Sequence, residues 1–416
     1  MDWLTTFEVL NNVYAKSAYS NIAINDALKN HKDCNASFVR MFSKGVLRET
    51  IKLDYYIDHL ADKGIKSIKI RTLIILRMGI FALNDLDSVP EYTAVNESVK
   101  LAKKVSKGSD KFVNAILRKY LRDGSDIKIA DSDLSTKYSF TKELVELLSS
   151  QYGDDTEKLL KALNTVPKTS IRCNLLKNSR AELIKILADS GINAYEDENT
   201  NSGIICDGGD LVSSMAYAEG RFSIQGLSSI EAIERFNPKE NSKVLDMCSA
   251  PGGKTLGMAE IMKNHGSIVA CDIHGHKLDI INAAAKRNGT SIVETKLQDG
   301  AEYNEEFVNA FDYVLADVPC SGLGVISTKP EIKFNDINSE VESLVPIQKK
   351  ILENAIKYTK NEGLIEYSTC TINKDENESV VNSVIKSQKN VQILEMNLIL
   401  PYNNVYGFFY CIMKKS

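Results

Sequence analysis

Long apolar runs, closely paired cysteines and an overall positive charge are all missing from this chain of 416 residues. The longest apolar stretch, near Leu73 to Leu83, follows Arg71 and is broken by Arg77, far short of the ~20 residues that span a bilayer. A membrane protein is therefore not expected. The eight cysteines (34, 173, 206, 248, 271, 320, 370 and 411) include no C-x-x-C pair, and the five histidines lack ligand spacing. No zinc site, other metal centre or disulfide framework is indicated, and most of the thiols are expected to be small buried hydrophobes. His274 and His276 read as a loop pair. The start, Met1-Asp2-Trp3-Leu4-Thr5-Thr6, has no basic segment ahead of an apolar run, so a secretory leader is not expected and the cytoplasm is the expected compartment.

The length exceeds one ordinary hydrophobic core, so two or three domains are expected. Hydrophobic content of 43% and charged content of 25% are those of globular proteins. The net charge of −4 is unevenly spread. Residues 1–125 carry 20 Lys+Arg against 14 Asp+Glu, and the remainder 31 against 41. A basic first domain on an acidic body fits nucleic-acid binding, although ordinary solvated helix faces give the same imbalance.

Residues 1–125 read as helices. Phe38, Phe42, Gly45 and Val46 recur at helical spacing, as do Ile70, Leu73, Ile74, Arg77 and Phe81. Val89-Pro90-Glu91 marks a helix start, and Ser109 or Asp110 is placed to cap Lys111–Leu121. Residues 126–236 read as a linker and a small α+β module. Its elements are helices at Leu144–Leu148 and Leu159–Leu163, a strand at Thr169–Asn174, and a helix Ala181–Asp189 closed by Gly191. Residues 237–416 alternate between strands and helices, which implies a parallel sheet with helices on both faces and ligands at the strands' carboxyl ends. The strands are expected at Val244–Asp246, Ser267–Asp272, Ile292–Lys296, Phe311–Asp317 and Gly363–Ser368, with helices at Thr255–Met262 and His276–Asn288.

The first of these strands runs into Cys248-Ser249-Ala250-Pro251-Gly252-Gly253-Lys254-Thr255. Adjacent glycines let backbone N–H groups approach a ligand, and the following helix start favours a carboxylate. A phosphate-binding P-loop would need glycine five residues before Gly253, where Cys248 stands. Asp272 ends the next strand, where a carboxylate can accept from both ribose hydroxyls, and Asp299 follows the third strand in position for an adenine. Asp317-Val318-Pro319-Cys320 and Ser368-Thr369-Cys370 end two further strands. A cysteine thiolate suits addition to C6 of a pyrimidine, being strongly nucleophilic yet able to leave. Two inert thiols are the competing reading.

Together, the glycine loop, Asp-Val-Pro-Cys-Ser-Gly-x-Gly-Val, and Ser-Thr-Cys-Thr with Asp375-Glu376-Asn377-Glu378 resemble the RNA cytosine-5 methyltransferases of the RsmB/Sun type. Asp110–Arg118 resembles the signature of a NusB-type RNA-binding domain, Ser170–Leu175 the start of the family's small module, and Gly407–Tyr410 its last strand. The resemblance covers nearly the whole chain. It implies a multidomain protein: an all-α NusB-like domain, a small α+β, RRM-like module, and an α/β Rossmann-like class I methyltransferase domain. It further implies S-adenosylmethionine held by Cys248–Lys254, Asp272, Asp299 and Asp317. Cys370 is then similar to the nucleophile, Cys320 to the cysteine that promotes proton removal and release, Asp317 to the residue on the base's N3/N4 edge, and Lys254 to the group orienting base and cofactor.

The substrate implied is 16S ribosomal RNA, at cytosine 967, free or in a small-subunit assembly intermediate, with the protein acting as a monomer. The same chemistry on transfer RNA and a non-catalytic NusB-like RNA-binding factor are the alternatives. The chain departs from the family pattern at Gly226 and Tyr406, each where Asp is usual, at Ala301 for Arg, and at Phe334 for Trp.

Overall fold

The computed structural model describes residues 1–16 and 18–416. It divides into two units, Met1–Thr165 with Ile326–Asn335, and Val166–Val325 with Asp336–Ser416.

The first unit is built from α1 (Asp2–Lys16), α2 (Ser20–Asn30), α3 (Ala36–Arg48), α4 (Thr50–Leu60), α5 (Ile70–Asp85), α6 (Glu91–Val105) and α7 (Asp110–Asp123). The shorter α8 (Leu134–Tyr138), α9 (Lys142–Tyr152) and α10 (Thr156–Asn164) follow. The two apolar stripes read from the sequence meet. A Cβ added at Gly45 of α3 would overlap the Phe81 ring of α5, so only glycine lets these helices approach so closely. Arg77, which interrupts the apolar run of α5, turns inward and makes a two-pronged ion pair with Asp54, both bonds 2.7 Å long. Its guanidinium also lies over the Tyr14 ring. Burying a charge is tolerable only with such partners. The expected cap of α7 differs: Ser109 stands at the N-cap, but its hydroxyl donates backward to the Ser106 carbonyl and caps nothing.

Ile326–Asn335, although late in the sequence, belongs to this helical unit. Lys333 is fully buried there and donates to the carbonyls of Arg48 and Tyr138 and to Asn164 Oδ1, with its ammonium over the Phe140 ring. Burial pushes that ammonium down to about 7. The backbone N–H of Ser20 donates to Glu331, and Phe334 packs against Tyr14.

The second unit opens with β1 (Thr169–Cys173), α11 (Arg180–Asp189), β2 (Ala194–Glu196), β3 (Gly203–Cys206), α12 (Met215–Ala218) and β4 (Phe222–Ile224). These form an antiparallel sheet of order β2-β3-β1-β4, a ferredoxin-like βαββαβ module. Helix α11 starts with a full capping box between Ser179 and Glu182. Next come α13 (Leu227–Phe236), β5 (Lys243–Asp246), α14 (Gly253–Ile261), β6 (Ser267–Asp272), α15 (Gly275–Asn288), β7 (Val293–Leu297) and β8 (Phe311–Asp317). The chain ends with α16 (Ile337–Tyr358), β9 (Thr359–Thr369), α17 (Glu378–Ile385), β10 (Val391–Ile399) and β11 (Phe408–Lys415).

The large sheet has the order β10-β11-β9-β8-β5-β6-β7. It is not the wholly parallel sheet that the strand–helix alternation implies. The strands β5 to β9 are parallel, but β11 runs antiparallel between β9 and β10. No helix lies between β10 and β11, so the chain returns directly, which only antiparallel neighbours allow. One face of the sheet buries Leu245, Val314, Ile365 and Phe409 under α16 and α17; the other buries Val244, Leu315 and Ile412 under α13 and α14. The strand order reverses between β5 and β8, and the ligand edge of a doubly wound sheet lies at that reversal. Among the described residues, no helix is long and apolar enough to cross a membrane.

Candidate active site at the strand ends

Around that reversal stand the loop after β5 and the ends of β8 and β9. The loop turns sharply: Ser249 donates from both its backbone N–H and its hydroxyl to the Cys271 carbonyl, and Gly252 adopts φ +99. At that angle a side chain would be strained, and a Cβ would also press on Ile281. A cavity of about 190 Å³ opens here, lined by Cys248, Ser249, Ala250, Pro251, Gly253, Lys254 and Asp317, with Gln225 and Ser229 on its other wall. Asp272 stands at the end of β6, accepting from the His274 N–H, and Asp299 accepts from the Ala301 N–H after β7. Neither lines this cavity. Beside these carboxylates, Ile273 and Leu297 present exposed apolar side chains.

Lys254 donates to Asp317 at 2.6 Å, with its ammonium 4.9 Å from the centre of the Phe408 ring. Burial works to lower its pKa, but the charge and hydrogen bond of Asp317 prevail and raise it. The Ser368 hydroxyl donates to the other Asp317 oxygen at 3.0 Å. The two half-buried thiols expected at the strand ends are neighbours, Cys320 Sγ lying 3.3 Å from Cys370 Sγ. Their hydrogen bond, and then burial, raises the Cys320 thiol well above its ordinary range. Cys173, Cys271 and Cys411 are also pushed up, each to about 12, but by burial alone at the head of their causes. Cys248 rises for the same reason.

Glu376 locks the thiols together. This fully buried carboxylate accepts from the N–H and hydroxyl of Ser321, from Gln348 at 3.1 Å and from Asn373 at 3.2 Å. Asn377 binds the other loop, accepting from Thr369 at 2.6 Å and donating to the Thr371 carbonyl. Gly324 completes the closure. Its N–H donates to the Cys370 carbonyl, its carbonyl accepts from Gly407, and a Cβ there would overlap the Gly407 carbonyl.

The residue patterns did not single out Arg172. This buried side chain of β1 makes a bidentate ion pair with Glu260 of α14 and donates to the Gln225 side chain and the Gly253 carbonyl. It thus ties the ferredoxin-like module to the start of the cofactor-loop helix. Arg172→Met leaves the Glu260 carboxylate buried and unpaired, a change that costs ~3–5 kcal/mol. Chemical denaturation of the variant checks this, and a loss below ~1 kcal/mol would mean that Glu260 finds another partner.

Two departures from the family pattern also meet here. A Cβ at Gly226 would come within 2.8 Å of the Tyr406 ring, and Ser228 donates to the Tyr406 carbonyl. Glycine at 226 thus makes room for the larger residue at 406. Ala301 donates from its backbone to Asp299 and packs its methyl against the core of the large sheet, and Phe334 packs in the helical unit.

The comparisons with known proteins agree along the chain. Residues 233–410 match the family described as 16S rRNA methyltransferase RsmB/F, residues 4–122 the NusB family, and residues 141–212 the ferredoxin-like domain of RsmF/B-like methyltransferases. The probable ribosomal RNA small subunit methyltransferase B of Bacillus subtilis is 32% identical, over 98% of this chain and 97% of that one. Its namesake in Synechocystis is 31% identical over 99% and 98%. The solved structure of PH0851 shares the fold, with a TM-score of 0.85 at 23% identity over 99% of this chain and 98% of that one. NSun6 from Pyrococcus horikoshii, solved with SFG, gives 0.61 at 22% identity over 66% of this chain and 98% of that one. The chain therefore belongs to the RsmB/Sun family of ribosomal RNA cytosine-5 methyltransferases, enzymes that depend on S-adenosylmethionine.

Proposed function

We propose that this protein methylates C5 of cytosine 967 in 16S ribosomal RNA through a covalent bond between Cys370 and C6 of the base. The observation that carries the reading is the Cys320–Cys370 pair, 3.3 Å apart, at the sheet edge that also bears Lys254 and Asp317. A cytosine must leave its helical stack to reach such a site, because C6 is shielded within a duplex.

The residues present suit S-adenosylmethionine. Asp272 and Asp299 offer acceptors to ribose and adenine, Ile273 and Leu297 supply apolar surface for a flat ring, and Cys248–Lys254 gives backbone donors and a cation for the carboxylate end. The cofactor's contribution is an electrophilic methyl on a sulfonium.

On the base, the Cys370 thiolate forms the S–C6 bond, and the C5–C6 electron pair shifts toward C4 and N3. Asp317 and Lys254 would meet that edge, where their hydrogen-bonded pair can hold a proton and stabilise the charge. C5, now enamine-like, takes the methyl, after which C5 loses its proton, C5=C6 re-forms and Cys370 departs. Cys320 is the base for that last step. While Cys370 is free, their hydrogen bond is the first cause of the raised Cys320 pKa. Once Cys370 is a thioether, its anionic acceptor is gone and Cys320 can ionise more readily.

The cytoplasm is the compartment in which such an RNA is met, and a single chain carries every residue named. Bisulfite sequencing of ribosomal and transfer RNA from cells with and without the protein tests the reading. Loss of protection at one cytosine of 16S RNA is expected. Unchanged 16S RNA with a lost transfer RNA signal would move the substrate, and no change in either would overturn the activity.

A further inference from the structure

Three carboxyl groups share one face of the large sheet beneath the site. Asp246 of β5 pairs with Leu315 of β8, Leu315 with Glu366 of β9, and Asp317 with Ser368, so Asp246, Asp317 and Glu366 lie on the side covered by α14. Only one cation, the Lys254 ammonium, faces them from that helix, and it is bonded to Asp317. Asp317 opens on the cavity, but Asp246 and Glu366 are buried, and an ammonium already bonded to Asp317 cannot balance two further charges in a dry interior, so protons must make up the difference.

Asp246 has the Thr255 hydroxyl as donor at 2.6 Å. Glu366 is fully buried, and neither of its oxygens has a well-aligned hydrogen-bond partner. We propose that Glu366 is a proton-holding positioning residue: neutral, it leaves the Lys254 ammonium to Asp317; deprotonated, it competes for that ammonium and weakens the site's hold on negative charge. The inference rests on the proposed cysteine chemistry and adds to it a residue outside every motif quoted above.

Burial pushes the Glu366 carboxyl up to about 8, against the opposing pull of the Lys254 charge. The other titratable neighbours are Asp246, pushed up to about 7, Asp317, and on β11 Tyr410 beside Ser368 and Cys411. Tyr410 and Cys411 are both raised and stay neutral over the relevant range. The sign follows. A carboxyl with a raised pKa is uncharged below it and becomes an anion as pH climbs through it. Alkaline pH therefore adds a negative charge beside Lys254, opposing the thiolate of Cys370 that the same pH would otherwise favour.

The test uses full-length protein carrying Cys320→Ala, with Glu366 intact or replaced by Gln, and iodoacetamide as the probe of Cys370. Without RNA or cofactor, the alkylation rate with E366Q should match its parent within about twofold at pH 7 and exceed it by at least about threefold at pH 9. Infrared difference spectra between the two should show a protonated carboxyl at pH 7 that is lost by about pH 9. Glu366→Val, a strand-favouring replacement, should repeat both results and guards against a folding defect peculiar to glutamine. Parallel pH profiles, or no protonated carboxyl at pH 7, overturn the proposal. Because neither readout involves methyl transfer, failure of the proposed activity would appear separately, as wild-type protein that leaves RNA unmodified.

Discussion

Under the proposed mechanism, protein carrying Cys320→Ala, mixed with substrate RNA and S-adenosylmethionine, is expected to accumulate as an RNA adduct that survives denaturant. The attacking sulfur is still present, and so are Lys254 and Asp317, so attack on C6 and methyl transfer proceed. What is lost is the proposed base, 3.3 Å from the proposed attacking thiol, and with it release. Cys370→Ala is expected to give the opposite phenotype: no adduct, and methylation reduced by ~10³-fold or more, because the proposed nucleophile is gone. Its affinity for S-adenosylmethionine stays within about threefold, roughly 0.7 kcal/mol, since the sulfur serves the base. Denaturing gel shift with labelled RNA, and calorimetry with the cofactor, read both. An adduct formed by the Cys370→Ala protein would exchange the two roles.

Glu376→Ala is expected to disable the enzyme without touching a reacting atom. The carboxylate gathers four donors in the interior, two from Ser321 next to Cys320 and one each from Gln348 and Asn373. Removing it takes the acceptor from the Ser321 N–H and from Asn373 and loosens the Cys320 loop, which the Ser321–Thr371 and Gly324–Cys370 hydrogen bonds still join to the Cys370 loop. Each unsatisfied buried group costs ~1–3 kcal/mol, so a stability loss of ~3 kcal/mol or more is expected. A displacement of one thiol by ~1 Å is enough to reduce the rate by ~100-fold. Cofactor affinity, set by the loop after β5, should change little. Thermal denaturation and single-turnover methylation measure the two effects, and a variant that is destabilised yet methylates at the wild-type rate would show that Glu376 does not hold the cysteines in register. Glu376→Gln keeps the shape but presents an N–H₂ group to a cluster of donors, and should fall between wild type and alanine.

What the residue patterns conveyed was local. The glycine loop, its helix, the strands of β5 to β9 and the two cysteines at strand ends all follow from short stretches whose spacing encodes one element at a time. Contacts between distant stretches were not legible. Nothing near Arg172 announces Glu260, 88 residues away, and a lone charged residue in a strand reads as a solvated side chain. Lys333 reads the same way, though its nearest acceptor on α3 is 285 residues earlier. Glu366 sits in an alternating strand, where a charged residue normally marks the wet face; the covering helix α14 makes that face dry. The antiparallel return of β11 escaped for a related reason: pairing direction depends on what lies between strands, and the sequence motifs there describe only the last one. Glu376 lay within a quoted motif, yet its role depends on a loop fifty-five residues before it.

The lodging of Ile326–Asn335 within the helical unit has a consequence for synthesis. A ribosome releases the chain from its first residue onward, and a domain with all its parts early in the sequence can finish folding while the rest is still being made. Here the first 165 residues must wait until a segment 160 residues later emerges before Lys333 can fill its place among the Arg48, Tyr138 and Asn164 acceptors. The nascent helices therefore mature in step with the catalytic strands, and a chain halted before residue 326 lacks that plug in both halves of its fate: unfinished at one end and inactive at the other.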